Sequence, residues 1–290
     1  MLFQRVRTAV CLLLLILVVV VFTDKVGWLL FSSVLTILAM WEYTRIVKMP
    51  KIWSIIYLLL SLGILGVVFY WDIVDIIQDV PCLSLILGLL LLCYWLVIVP
   101  LVLKNKIKLE NIVLTSILGW LMFIPFGSYI AQLFIYKTTT GAMSLTQVNF
   151  VILYLILLVW VADISAYFVG RQFGKNKLAP QISPGKSIEG VLGAIVIVVI
   201  YGIVYFSLYY MQLVDSFSWF RLFFLVVCSV PLTCVCVIGD LFESWLKRCA
   251  GVKDSGKLLP GHGGVYDRVD SLVAVLGIYP ILVLCLQAFR

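Results

Sequence analysis

The sequence predicts an all-α fold: a polytopic transmembrane helix bundle of about nine spans, N-terminus cytoplasmic and C-terminus outside. Three observations carry that reading. Of 290 residues, 64% are hydrophobic and only 12% charged, whereas a soluble domain is roughly half apolar and a quarter charged. The apolar residues come in runs long enough to cross a bilayer, which takes about 20 residues of helix. The basic residues collect in alternate gaps between those runs, the pattern that marks cytoplasmic loops.

Taken in order, the expected spans are 8–23, 26–43, 53–71, 82–103, 112–135, 147–169, 190–211, 218–239 and 269–288. Arg5 and Arg7 before the first run could suggest a secretory leader. No small-residue cleavage pattern follows Phe22, and a second apolar run starts at once, so the segment reads as a retained helix. The first two runs are short and nearly contiguous, which predicts a tight hairpin. Lys25, Lys137, Arg221 and Arg290 fall on one side of the expected topology, and the other seventeen of the 21 basic residues fall on the opposite side. That asymmetry orients the chain as a multi-pass protein of the inner (plasma) membrane of a bacterial host, with its longest loops in the cytoplasm. The net charge of +7 is spread over these short loops, so no nucleic-acid partner is expected. Seven of the eight cysteines lie in apolar runs and show neither zinc spacing nor a disulfide framework. The chain reads as one integral membrane domain, with N-terminal helices over 1–145 and a C-terminal region over 146–290 that holds the two longest cytoplasmic loops.

The first of these loops, DISAYFVGRQFGKNKLAPQISPGKSIEG, covers 163–190. Its Asp163 closes an apolar run, where a carboxylate is costly and marks a site or an ion path. On a helix, Asp163, Tyr167 and Gly170 share a face; the plainer alternative is an interfacial acid paired with Arg171. The second, GDLFESWLKRCAGVKDSGKLLPGHGGVYDRVDS, covers 239–271. Asp240, Glu243, Ser244 and Lys247 fall on one helical face, with Arg248 at its edge. Asp267, Asp270 and Ser271 repeat the acidic spacing at the next helix start. Between the two faces lie Lys253, Asp254, Lys257 and the Pro260–Gly264 stretch, which holds His262, the one histidine of the chain. Carboxylates suit Mg²⁺, which takes one or two of them and completes its shell with water and phosphate. Lys and Arg suit the phosphates, and Gly261, Gly263 and Gly264 let backbone N–H groups approach a ligand. A solvated loop with ordinary ion pairs explains any one pair, but not the whole set. Spacing alone leads to phosphoryl or nucleotidyl transfer on a lipid, or to transport of an anion.

The stretch SWLKRCAGVKDSGKLLPGHGGVYDRVDS closely resembles the signature of the phosphatidate cytidylyltransferase (CDP-diacylglycerol synthase) family. Ser244, Lys247, Arg248, Lys253, Asp254, Gly256, Leu259, Pro260, His262, Gly263, Gly264, Asp267, Arg268 and Asp270 all match its pattern. The 163–190 segment is similar to the family's second motif, with Lys186-Ser187 where Lys-Thr is common. The resemblance covers about 160–275; the N-terminal half matches only in being a set of apolar spans.

The resemblance implies an enzyme that converts CTP and phosphatidate to CDP-diacylglycerol and pyrophosphate, with Mg²⁺ and a second cation such as K⁺ as cofactors. It implies Asp240 and Asp267 as principal metal ligands, with Asp163 and Asp270 supporting them. Lys247, Arg248, Lys253 and Arg268 would neutralise the triphosphate or the phosphatidate head. Ser183, Lys186, Ser244, Gly263 and Gly264 would bind substrate. His262 would donate to phosphate or fix the loop; a phosphate monoester has its second pKa near 6 and needs little help from a base. Partners would be the two substrates, the bilayer and, in a homodimer, a second copy. A CTP-dependent lipid-alcohol kinase would differ in passing on the γ-phosphate. A transporter would commonly show internal repeats with broken helices near the midplane; no such repeat is seen, and the polar residues cluster at one membrane face.

Overall fold

The protein is described by a computed structural model covering residues 2–22, 24–78, 82–140, 145–213, 219–261 and 263–288. Its helices are α1 (Leu2–Phe22), α2 (Lys25–Ile46), α3 (Lys51–Gln78), α4 (Cys82–Cys93), α5 (Val99–Asn105), α6 (Ile112–Thr140), α7 (Leu145–Phe173), α8 (Ile188–Leu213), α9 (Trp219–Ala250) and α10 (Tyr266–Ala288). Among the described residues, seven segments are long and apolar enough to cross a membrane: those of α2, α3, α4 through α5, α6, α7, α8 and α9. The chain is a multi-pass helical membrane protein. The other two expected spans fall on α1 and α10, whose side chains are described only in part.

Helix is the form these runs must take, because a bilayer offers no water to unpaired backbone groups and a helix satisfies them within one segment. Asp24 caps α2, its carboxylate accepting the Gly27 N–H at 2.8 Å. The expected 82–103 span is one helix interrupted by a π-helical turn over Tyr94–Ile98. Pro100, which has no N–H to give, lies in the first turn of α5 just beyond it.

Helices α2, α3 and α6 pack together, as do α7, α8 and α9, while α10 lies against α9, α6 and α4. Polar side chains stitch the first group. Trp28 Nε1 donates to the Ile130 carbonyl at 2.6 Å, Ser32 Oγ to the Gly127 carbonyl at 2.6 Å and Tyr43 OH to the Thr115 carbonyl at 2.7 Å. Such bonds give apolar helices a preferred contact where lipid tails offer no hydrophobic drive. Leu59, Leu60 and Val67 of α3 and Val196, Ile200 and Val204 of α8 stand exposed, as a lipid-facing surface requires.

One local feature departs from the all-α expectation. Residues 175–187 form a small antiparallel hairpin of β1 (Lys177–Ala179) and β2 (Ser183–Ser187), with Lys177 opposite Ser187 and Ala179 opposite Ser183. Its strands are short, β1 has only three residues and β2 is polar with Pro184 and Gly185, so no hydrophobic alternation announces it. The second difference is length. Helix α9 continues to Ala250, about three turns past the apolar run, and so carries Asp240 to Arg248 on rigid helix.

Candidate active site

Helix α9 presents its polar face toward α10 and the hairpin. Lys186 Nζ, from β2, pairs with Asp240 Oδ2 at 2.6 Å and reaches the Val237 carbonyl at 3.4 Å. Arg248 Nε donates to the Ile182 carbonyl at 3.3 Å, in the turn between the strands. Two cationic side chains thus dock the first motif segment on the second. One and two turns along α9, Lys247 Nζ bridges two acids, at 2.5 Å from Glu243 Oε2 and 2.7 Å from Asp267 Oδ1.

Asp240, Glu243 and Asp270 each offer an oxygen within 4.8 Å of the other two. Ser244 Oγ donates to Asp240 Oδ1 at 3.4 Å. Asp270 Oδ1 accepts the Ser271 N–H at 2.7 Å, and among the described residues no Lys or Arg pairs with it. Among the described residues, Glu243 Oε1 is buried without a hydrogen-bond partner. Asp163, on α7, is in electrostatic range of Asp240, Lys186 and Arg268, and the Cys236 thiol lies 4.0 Å from its Oδ1. No ion pair joins Asp163 to Arg171 among the described residues. Five carboxylates thus gather around two ion-paired lysines, with Arg268 nearby. Packing like charges this closely is unfavourable without a counter-ion, and a hard oxygen set with a free buried oxygen fits a divalent cation such as Mg²⁺.

Asp267 is held differently. Its Oδ2 accepts the Ser255 N–H at 2.9 Å and the Gly264 N–H at 2.8 Å, while its Oδ1 takes Lys247. It stands in the first turn of α10, ahead of the apolar run. Burial pushes its carboxyl up, but the Gly264 N–H and the Lys247 ammonium outweigh that and hold it at about 2. It is therefore a carboxylate at neutral pH. Gly263, at φ +85°, turns the chain so that Gly264 can present its N–H to this group.

A family match now joins this geometry. Residues 3–286 match the model of the Cytidylyltransferase family. The chain belongs to that family. It is 31% identical over 283 residues to a phosphatidate cytidylyltransferase of Haemophilus influenzae, covering 95% of this chain and 96% of that one. It is 33% identical to the protein of that name from Staphylococcus saprophyticus, over 97% and 99% of the two chains. Over 134 residues, 46% of this chain and 47% of the other, it is 42% identical to one from Pseudomonas aeruginosa.

For this cytidylyltransferase-family chain, most residues singled out in the sequence converge. Asp163, Lys186, Asp240, Ser244, Lys247, Arg248, Asp267 and Asp270 gather where the hairpin, α9 and the start of α10 meet. Asp267 lies outside the three-carboxylate group and is joined to it through Lys247. Lys253 and Arg268 are exposed, and Ser183 opens β2. The Gly264 N–H is taken by Asp267. His262 lies outside the described residues. Two further acids belong here. Helical spacing puts Glu243 on the polar face of α9 without assigning it a role. Glu42 of α2 is fully buried against the same loop; its signal was a lone carboxylate inside an apolar run.

Proposed function

We propose that this protein is a phosphatidate cytidylyltransferase that forms CDP-diacylglycerol and pyrophosphate from CTP and phosphatidate. The supporting observation is the acidic group of Asp240, Glu243 and Asp270, set among Lys186, Lys247 and Arg248 at the end of the apolar helices, in a chain of the Cytidylyltransferase family. A phosphatidate phosphate oxygen attacks the α-phosphorus of CTP. One P–O bond forms, the α–β P–O bond breaks, and pyrophosphate leaves with the electron pair. No proton need move when the attacking phosphate is dianionic.

The reactants are anions, so repulsion and positioning are the obstacles. Asp240, Glu243 and Asp270 would hold Mg²⁺, with Asp267 and Asp163 beside them and a second cation such as K⁺ close by. Bound there, the ion would neutralise phosphate charge and polarise the P–O bond that breaks. Lys247, Arg248, Lys253 and Arg268 offset the triphosphate and the lipid phosphate. Ser183, Lys186, Ser244 and the 263–264 backbone orient them, and His262 donates to phosphate. The same reading has nine spans, N-terminus inside and C-terminus outside, in a bacterial inner membrane, with the site on the cytoplasmic side and a homodimer as the assembled form.

Purified protein in detergent, given phosphatidate and Mg²⁺, tests the reading. Label from α-labelled CTP should enter lipid and label from γ-labelled CTP should leave as pyrophosphate; chelation should stop both. Transfer of γ-label to lipid would replace this reaction with a kinase.

A further inference from the structure

Glu42 is the one carboxylate of α2, and it is completely buried. It comes from the N-terminal half, outside both motif segments, yet it meets the C-terminal loop. Its Oε2 accepts the Ser255 hydroxyl at 2.7 Å and the Tyr266 N–H at 2.8 Å. Ser255 Oγ in turn accepts the Asp267 N–H at 3.2 Å. These are first-turn N–H groups of α10, which no earlier turn of the helix can satisfy. The cap that the helix start needs is supplied by a carboxylate 224 residues away in sequence and by the serine bound to it. The partial positive charge of the helix start favours an anion there.

The loop is shaped to admit this side chain. A Cβ on Gly256 would meet Glu42 Oε1, and one on Gly264 would meet Glu42 Oε2 and Ser255 Oγ. Among the described residues Glu42 Oε1 has no hydrogen-bond partner, so capping the helix uses only one of its two oxygens. The connection runs from Glu42 to Ser255, from Ser255 through both its N–H and its hydroxyl to Asp267, and from Asp267 through Lys247 to Glu243.

We infer that Glu42 is a positioning residue for the transfer reaction: through Ser255 and Tyr266 it sets the start of α10, and with it the Asp267–Lys247 pair, relative to the acidic group. It touches no reacting atom. The inference rests on the proposed activity for its kinetic part and on the contacts alone for its structural part.

The test uses Glu42→Ala, Glu42→Gln, Ser255→Ala and the Glu42→Ala/Ser255→Ala double variant in lipid nanodiscs. Two quantities are read: kcat and KM for CTP per folded protein, and amide hydrogen exchange over 254–267. Breaking a buried charge-assisted contact should lower kcat of Glu42→Ala about ten- to a hundredfold, with KM for CTP within about threefold. Glu42→Gln keeps an acceptor oxygen for both donors and should lie within about tenfold of wild type. The double variant should be little slower than the worse single, as for residues that act as one unit. Exchange over 254–267 should quicken in Glu42→Ala while the α7–α8 region is unchanged. A normal kcat per folded molecule, multiplicative losses, or unchanged exchange would overturn the inference. If wild-type protein turns over no CTP with phosphatidate, the activity proposal fails, and the exchange measurement alone decides the role of Glu42.

Discussion

At Asp267, three donors converge on one carboxylate, and the substitution that removes its charge is the sharpest single test of the site. Asp267→Asn leaves Lys247 with only Glu243. Breaking one partner of a largely buried pair costs about 3 kcal/mol, which corresponds to a loss of about a hundredfold or more if the geometry serves the transition state. Lys257 is exposed in the same loop, and Lys257→Ala should stay near wild type. The comparison is kcat at saturating Mg²⁺ with protein amount controlled; equal effects from the two variants would leave Asp267 without a special role. Gly264→Ala addresses the packing around it. The added methyl would strike Ser255 Oγ and Glu42 Oε2, and overpacking of this kind costs about 1–3 kcal/mol. Gly185, with nothing within 4 Å of a Cβ, provides the control. In thermal denaturation, Gly264→Ala should lower the midpoint and Gly185→Ala should not.

Among elements, the decisive relation is between the C-terminal turns of α9 and the first turn of α10. Lys247 bridges them, and the hairpin locks onto α9 through Lys186 and Arg248. Asp240 and Asp267 are thus parts of one connected set without touching. Asp240→Ala and Asp267→Ala should be strongly non-additive: the double variant should be little slower than the worse single. A double-variant rate equal to the product of the two single factors, above the assay floor and with folding confirmed, would put the two acids at separate sites. The i, i+3, i+4, i+7 spacing from Asp240 to Lys247 was legible because a helix repeats every 3.6 residues and local spacing alone sets the face. The hairpin was not, because a polar strand of five residues has no apolar face to show.

For the whole molecule, the expected topology places both motif loops on one side of the membrane. Single cysteines at Lys175 and Lys257, both exposed, introduced into a cysteine-free background, should be blocked to an impermeant reagent in intact cells and react after lysis. Labelling from outside would sink the cytoplasmic assignment and the access of CTP with it.

By itself the sequence determined the membrane class, the order of the helices, the polar face of α9 and the two acidic segments that carry the family signature. All of these are local: they follow from hydropathy over some twenty residues, from helical periodicity, or from a contiguous motif. Only the tertiary structure decided which carboxylates share a site and which brace it. Glu243 joins Asp240 and Asp270 because α9 runs on past its apolar segment. Asp267 turns toward Lys247, Ser255 and Gly264, since the loop folds back over the start of α10. Glu42 enters from α2 across 213 residues to Ser255, a contact that no spacing rule reaches, because α2 meets α10 only when the helices pack.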